Sequence, residues 1–381
     1  MSRFSPLSVL TLSATLLMLG VGMIVALLPQ RVYATTGTLE SVGLVAAVFA
    51  LAYLLAQLPV AILSDRLGAR PFLVTGYLLC ALSGVVFVTT ETAAGIYLGR
   101  AIQGLGEAPV WALGPAVLAA AYPEARGRAI GIYNAAIHIG LAAGPLLGLL
   151  VAPDGQGRQP FVLFAVLCLV AGALVMLFPG AVPAASSAVG RGGTGARQFL
   201  SLLRAKTAVV LLAGVLLYGA GYGVFISVLP VSLVRTHDFG TVGISLHFVL
   251  FYATVSLAQV GAGLLSDRIG RHGFMAWGMA LAAAGMASLP LVPGAWVYLP
   301  LGLAGIGLGV FCVVSMAELT GSVPDTLKGA VSGSYYFFWA AGCMLGPLAV
   351  GAAAAGSPFL GFVFLAGLFA LQAIAVRIVA G

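Results

Sequence analysis

Four polar side chains recur at helical spacing inside one long apolar stretch of the sequence. They are Arg100, Gln103, Glu107 and Trp111. Separations of three, four and four residues place them along one face of a helix. Arg100 and Glu107 would lie about 10 Å apart along the helix axis, so Gln103, water or another segment must bridge them. Ionisable residues in such a segment usually face a cavity or a partner, although the alternative is a static polar lock between helices.

A second polar pair follows in the next apolar stretch. Asn134 and His138 are one helical turn apart. Because histidine titrates near neutral pH, His138 could relay a proton beside Glu107. The alternative is a packed histidine whose ring only forms structural hydrogen bonds. We take Glu107 and His138 as candidate proton-coupling residues.

Candidate contacts for a small organic ligand are polar or aromatic residues scattered over several apolar stretches. Aromatic side chains can stack on a flat or amphipathic molecule, although most aromatics in membrane helices face neighbouring helices or lipid. The candidates are Gln57, Gln103, Trp111, Asn134, Tyr218, Tyr222, Tyr252 and Tyr336.

The composition excludes a soluble protein. Of the 381 residues, 61% are hydrophobic and 7% are charged, and the mean hydropathy is +1.12. Soluble domains are about half apolar and about a quarter charged, so lipid must be the main solvent of this chain. The net charge of +7 is spread over short loops, which does not indicate nucleic-acid binding.

His272, Met275 and Met279 could bind Cu(I), but packing is the interpretation we favour, and we expect no metal site.

Twelve apolar stretches are long enough to cross a membrane as helices, which needs about 20 residues. The runs are continuous and not alternating, which excludes membrane strands. We therefore predict an all-α integral membrane protein with spans 1 to 12 at residues 7–29, 42–63, 72–90, 94–121, 129–151, 160–179, 208–230, 243–265, 273–292, 296–320, 329–354 and 359–377.

The basic residues predict the orientation. With the N-terminus inside, thirteen lysines and arginines fall in cytoplasmic segments and three on the opposite side. Positive charge is retained on the cytoplasmic side, so both termini are predicted to be cytoplasmic. The membrane is predicted to be the cytoplasmic (inner) membrane. Residues 181–207 are predicted to be a basic, flexible cytoplasmic linker between six-span halves at 1–180 and 208–381.

The two halves repeat each other. At an offset of 202 residues, Ser64-Asp65-Arg66 matches Ser266-Asp267-Arg268, and Gly144-Pro145 matches Gly346-Pro347. The predicted fold is therefore a pair of pseudo-symmetric six-helix bundles. Parallel repeats with a ligand site near the midplane are a recurring plan of transporters.

Three motifs then resemble one family. "AILSDRLGAR" (61–70) and "GLLSDRIGRH" (263–272) resemble the loop signature G-x-L-x-D-R-x-G-R-R of the major facilitator superfamily, and "GRAIQGLGEA" (99–108) resembles its fourth-span motif R-x-x-Q-G. The fifth-span pattern G-x8-G-x3-G-P-x2-G-G is matched with Leu149 in place of the last glycine. The matching residues are Gly131, Gly140, Gly144, Pro145 and Gly148.

The resemblance implies a fold and a set of roles. It implies alternating access, span 4 at a central cavity, a role for Arg100 in proton coupling and, from the fifth-span pattern, proton-coupled export. Close packing of that glycine face is what would prevent ion leak. The loop signatures are implied to close the cytoplasmic gate, against the alternative that they only set the topology. The gate residues are Asp65, Arg66, Arg70, Asp267, Arg268 and Arg271.

Our functional prediction is secondary active export of a small organic compound, drug or metabolite, driven by a proton gradient. An importer or facilitator on the same fold is the first alternative, and a non-transporting membrane sensor or partner-binding subunit is the second. Phosphate-loop and hydrolase motifs are missing from the sequence, so we expect neither enzymatic activity nor a cofactor. We expect a monomer whose partners are the substrate and the lipid bilayer, and no nucleic acid.

Overall fold

The computed structural model describes residues 5–155, 157–182, 205–323, 328–354 and 359–379. Within these ranges there is no β-strand, and twelve helices are long and apolar enough to cross a membrane. The all-helical, twelve-span prediction is therefore confirmed.

The spans have the following bounds. Spans 1 to 6 are Pro6–Thr36, Leu39–Ser64, Ala69–Thr89, Ala93–Ala121, Arg128–Val151 and Gln159–Leu177. Spans 7 to 12 are Lys206–Ile226, Thr241–Ser266, Arg271–Leu291, Gly294–Gly321, Val331–Ala353 and Leu360–Ile378. A further helix, Val228–His237, follows span 7.

Span 1 is longer than the sequence predicts, because a second helix continues beyond the first. Helix Pro6–Val25 is followed by helix Leu28–Thr36, with Pro29 in its first turn, where the missing N–H costs nothing. The second helix ends at Gly37, whose φ of 70° is in the left-handed region that favours glycine.

The chain forms two compact units. The first comprises Met1–Gly37, Val48–Arg191 and Thr241–Val249, and the second comprises Thr38–Ala47, Gly192–Gly240 and Leu250–Gly381. The beginnings of spans 2 and 8 thus belong to the unit of the opposite half. Residues 183–204 of the predicted linker lie outside the described residues, so that linker stays a prediction.

In the first unit, span 5 packs against span 1 through glycines. A Cβ added at Gly144 would lie 2.5 Å from the Leu19 carbonyl oxygen, and one at Gly140 would lie 2.8 Å from the Thr15 carbonyl oxygen. Glycine permits this backbone approach, as is common between membrane helices. Gly148 is less tight, since its Cβ would meet Met23 Cγ at 3.3 Å. Gly131 is apart from this contact, because a Cβ there meets no described atom within 4 Å.

The second unit repeats this packing between spans 7 and 11. A Cβ at Gly346 would lie 2.5 Å from Ala220 Cα, and one at Gly342 would overlap the Leu216 carbonyl oxygen. Gly342 and Gly346 lie 202 residues after Gly140 and Gly144. The repeat therefore preserves a backbone contact as well as residue types. In span 9, Met275 and Met279 are completely buried, which agrees with packing.

Candidate functional site

Span 4 carries the polar face identified in the sequence. Its helix Ala93–Ala121 begins after Thr92, whose hydroxyl accepts a hydrogen bond from the Gly95 N–H. Gly104 brings the helix against span 2, because a Cβ there would lie 3.0 Å from the Tyr53 nitrogen. Gly106 brings it equally close to span 3, with its Cβ 2.7 Å from the Gly76 carbonyl oxygen. These two glycines fix the position of the polar face within the first unit.

The four side chains form one continuous hydrogen-bonded chain. Arg100 Nη1 donates to Gln103 Oε1 at 2.8 Å, and Gln103 Nε2 donates to Glu107 Oε1 at 2.8 Å. Trp111 Nε1 donates to the other carboxylate oxygen, Oε2, at 3.2 Å. Of the bridges open from sequence alone, Gln103 is the one that joins Arg100 to Glu107. We call these four residues the span-4 chain.

Both charges of the span-4 chain are buried. Arg100 and Glu107 are each 3% exposed, and Gln103 is fully buried. Among the residues whose burial is described, no other arginine, lysine or carboxylate is buried. A buried charge is tolerated only with partners, and Arg100 has a second one, since its guanidinium carbon lies 4.3 Å from the centre of the Phe49 ring. Trp111 is only partly buried and so could also contact a ligand.

The span-5 candidates are less enclosed. Asn134 is exposed and His138 is partly exposed. Both His138 and Glu107 are within the described ranges, and no hydrogen bond joins them there. The span-5 residue that does contact span 4 is Tyr133, which is buried and donates to the Val110 carbonyl oxygen at 3.0 Å.

The aromatic candidates of the second unit form a cluster. The Tyr222 ring centre lies 6.3 Å from that of Tyr218, 5.3 Å from Phe251 and 5.6 Å from Trp339. Tyr252 is buried and its ring contacts Phe251 at 5.4 Å. Tyr336 is partly exposed and contacts Tyr335.

Cys312 in span 10 joins residues of three other spans of the second unit. Gln259 Nε2 donates to its sulfur at 3.5 Å, and the Tyr218 and Tyr335 hydroxyls lie close to this thiol. The Tyr335 hydroxyl donates to the Cys312 carbonyl oxygen at 2.8 Å. This cluster was not identified in the sequence, where Cys312 only indicates a small apolar residue.

Four of the six candidate gate residues have described side chains, and all four are arginines. The side chains of Asp65 and Asp267 lie outside the described residues, and Arg66 and Arg268 are exposed. Arg70 donates to the Val175 and Met176 carbonyl oxygens at the end of span 6.

Arg271 contacts the end of span 10 in the second unit. It donates to the Ala317 carbonyl oxygen at 3.3 Å and to Glu318 Oε2 at 3.3 Å. His272 Nε2 lies 3.9 Å from the other oxygen of Glu318. In each unit, therefore, an arginine of the loop signature ties the start of one span to the end of another.

Known proteins share this sequence pattern. The chain is 35% identical over 147 residues, 38% of each protein, to an uncharacterized MFS-type transporter of Methanocaldococcus jannaschii. It is 26% identical to the chromaffin granule amine transporter of Rattus norvegicus over 77% of this chain and 56% of that protein. It is also 26% identical to the synaptic vesicular amine transporter of Bos taurus over 84% and 62%. The chain thus spans less than two thirds of these relatives.

Solved structures share the fold over almost the whole chain. The nucleoside transporter NupG superposes with a TM-score of 0.77 at 13% identity, covering 98% of this chain and 99% of that one. A bacterial homologue of the human lysosomal transporter Spinster, in an inward-facing and unoccupied conformation, gives 0.78 at 17% identity, covering 98% and 95%. The profile of the Major Facilitator Superfamily matches residues 10–347. The chain belongs to the Major Facilitator Superfamily.

Proposed function

We propose that this transporter exports a small organic compound, a drug or metabolite, across the cytoplasmic membrane in exchange for protons, by alternating access. The observation that carries the proposal is the buried span-4 chain. Glu107 is its only titratable carboxylate, and its two oxygens are held by Gln103 and Trp111. A carboxylate placed at such a depth is a candidate proton carrier.

The proposed coupling of proton to substrate depends on the charges of the span-4 chain. With Glu107 ionised, the span-4 chain contains one positive and one negative group. A proton on Glu107 removes the negative group and leaves the Arg100 charge beside Phe49. Exchange requires that proton and substrate weaken each other's binding, and by linkage that effect is reciprocal. Trp111 transmits it in our proposal, because its indole N–H contacts Glu107 while the side chain remains partly exposed.

Orientation and gating complete the proposal. The thirteen-to-three distribution of basic residues supports cytoplasmic termini. Arg70 and Arg271 would then hold neighbouring span ends together on the cytoplasmic side. Asp65 and Asp267 would complete the inner gate in the closed state. His138 is the proposed relay, so its substitution should affect the proton-coupled step.

The substrate is proposed to be neutral or to carry a single charge. The names of the curated relatives make organic amines a natural part of the test panel. However, the first helix, Pro6–Val25, contains no acidic residue, and Glu107 is the only buried carboxylate among the residues whose burial is described. Those residues offer no second buried anion for a dication.

The experiment uses inside-out membrane vesicles with an acid interior, monitored by acridine orange fluorescence. Amines, nucleosides, aromatic carboxamides and drugs are added one at a time. Export predicts that at least one compound dissipates the acid gradient while accumulating in the vesicles, and that Glu107→Gln abolishes both effects. Asp154→Asn, which changes a carboxylate in the loop after span 5, is the matched control.

Three results would contradict the proposal. Equilibration of the compound across the membrane at the same rate with and without the proton gradient would indicate a facilitator. Proton entry accompanying the compound in the same direction would indicate symport. Binding of a compound without any flux would indicate a sensor.

A further inference from the structure

Two strong hydrogen-bond donors in the second unit are directed at a weak acceptor. Gln259 Nε2 donates to the Cys312 sulfur at 3.5 Å, and the Tyr218 and Tyr335 hydroxyls both lie close to the same thiol. A thiol sulfur accepts hydrogen bonds much more weakly than a carbonyl or carboxylate oxygen does. Tyr335 differs, because its hydroxyl already donates to a carbonyl oxygen. Gln259 and Tyr218 therefore have donor capacity that the fold uses poorly.

The first unit has the same feature at the equivalent position. Gln57 lies 202 residues before Gln259, and Val110 lies 202 residues before Cys312, so no acceptor side chain stands there. Gln57 Nε2 is buried and has no hydrogen-bond partner among the described residues. An unsatisfied buried donor costs about 1–3 kcal/mol. A glutamine donor without a good internal acceptor in both repeats suggests a use other than stabilising the fold.

The surroundings of Gln259 fit a ligand. Gln259 and Cys312 are only partly buried, although both lie well inside helices Thr241–Ile269 and Tyr298–Gly321. Polar groups at this depth face a bundle interior or a water-filled cavity, since exposure to lipid is costly. Tyr222 and Trp339 are also partly exposed, and Tyr222 contacts Tyr218. Donors and aromatic rings thus occur together.

We infer that Gln259 and Tyr218 bind an acceptor oxygen of a planar substrate, whose ring system packs against Tyr222 and Trp339. The substrate oxygen replaces the Cys312 sulfur as the acceptor for both donors. The substrate class is a planar compound with a carbonyl or carboxylate oxygen, as opposed to an amine that has no such acceptor. This inference rests on the proposed function, because it assigns a substrate class to the proposed exporter.

Cys312 provides a native reporter for the first test. The other three cysteines, Cys80, Cys168 and Cys343, are buried, with 4% exposure at most. The purified full-length chain in detergent is alkylated with N-ethylmaleimide, and Cys312 is quantified by mass spectrometry. Benzamide should slow alkylation of Cys312, whereas benzylamine, which has the same ring but no acceptor oxygen, should not. Equal protection by the two probes, or protection by neither, would overturn the inference.

Two substitutions of Cys312 give a second test, because they should change benzamide binding in opposite directions. A serine hydroxyl is a better internal acceptor, so Cys312→Ser should satisfy Gln259 and Tyr218 and weaken benzamide binding. Cys312→Ala frees the two donors and should retain or strengthen binding. Gln259→Leu and Tyr218→Phe should each weaken it roughly two- to tenfold, the effect of one hydrogen bond.

Benzamide binding is measured from the ligand-dependent shift of the thermal unfolding midpoint. If the cluster is only structural, Cys312→Ser will bind benzamide at least as well as Cys312→Ala, and the inference is wrong. Neither test uses a proton gradient. Benzamide binding at Gln259 without gradient dissipation in vesicles would therefore refute the proposed export and leave this site intact, and the reverse result would refute only this site.

Discussion

Spans 4 and 10 occupy the same place in the repeat but carry different residues. The positions 202 residues after Arg100, Gln103 and Glu107 are Gly302, Gly305 and Gly309. A Cβ at Gly309 would lie 2.5 Å from the Val255 carbonyl oxygen, and one at Gly305 would overlap the Thr254 hydroxyl. Span 8 leaves no room for larger side chains at Gly305 and Gly309, so the second unit lacks the counterparts of Gln103 and Glu107.

Other features are shared by the two units. Tyr133 donates to the Val110 carbonyl oxygen at 3.0 Å, and Tyr335, 202 residues later, donates to the Cys312 carbonyl oxygen at 2.8 Å. The glycine contacts of spans 1 and 5 recur between spans 7 and 11. The repeat therefore conserves helix packing, while the buried charges belong to the first unit and the thiol and aromatic cluster to the second.

The largest effect is expected from separating the buried charges of the first unit. Arg100→Leu removes the arginine that donates to Gln103 and leaves Glu107 as a buried charge without its counter-charge. Removing one partner of a buried pair of charges lowers the free energy of unfolding by about 3–5 kcal/mol. The loss should appear as reduced thermal stability in detergent. Arg271→Leu is the control in the second unit, where the partly exposed pair with Glu318 contributes about 1 kcal/mol or less. Equal losses would contradict the assignment of buried charge to one unit.

Intermediate effects are expected at the shared glycine contacts. Gly144→Ala and Gly346→Ala each force a Cβ into backbone atoms, and overpacking costs about 1–3 kcal/mol. Gly131→Ala and Gly333→Ala are matched controls, because a Cβ at either position meets no described atom within 4 Å. Yield of monodisperse protein and its unfolding temperature measure the difference. If Gly144→Ala is tolerated as well as Gly131→Ala, the span 1 to span 5 contact is not the tight one described.

The smallest effects are expected at the shared tyrosine bonds. Tyr133→Phe and Tyr335→Phe each remove one hydroxyl donor to a carbonyl oxygen, for a loss of about 0.5–1.5 kcal/mol. Because the two bonds are equivalent in the repeat, the shifts in unfolding temperature should be similar. A much larger loss for one tyrosine would show that its hydroxyl also serves the chemistry of its unit.

The spans and the polar face of span 4 were predictable from the sequence, and the contacts between spans were not. Hydropathy predicts twelve spans, and the spacing of Arg100 to Trp111 predicts one polar face, because both depend on a single helix. Phe49 and Tyr133 were missed, since their partners depend on how neighbouring helices are rotated. The glycine at position 104 is the signal that could have indicated close contact with span 2.

Conversely, a family motif does not give every residue in it the same role. Gly131 matches the fifth-span pattern but lies apart from the contact with span 1, because it precedes the point at which the two helices approach. Gln103 was a candidate ligand contact, yet both ends of its amide are occupied within the span-4 chain. A side chain's role depends here on its neighbours in other turns and other spans.

The central claim is that protonation of Glu107 and binding of substrate weaken each other. It is tested most directly by measuring proton release when substrate binds. A compound that dissipates the gradient in vesicles is added to the purified transporter in weakly buffered detergent solution containing a pH indicator dye. The account predicts release of up to about one proton per bound compound from the wild-type protein, and none from Glu107→Gln with binding retained. Equal release from both proteins, or binding to the wild type with no release at any pH, would contradict it.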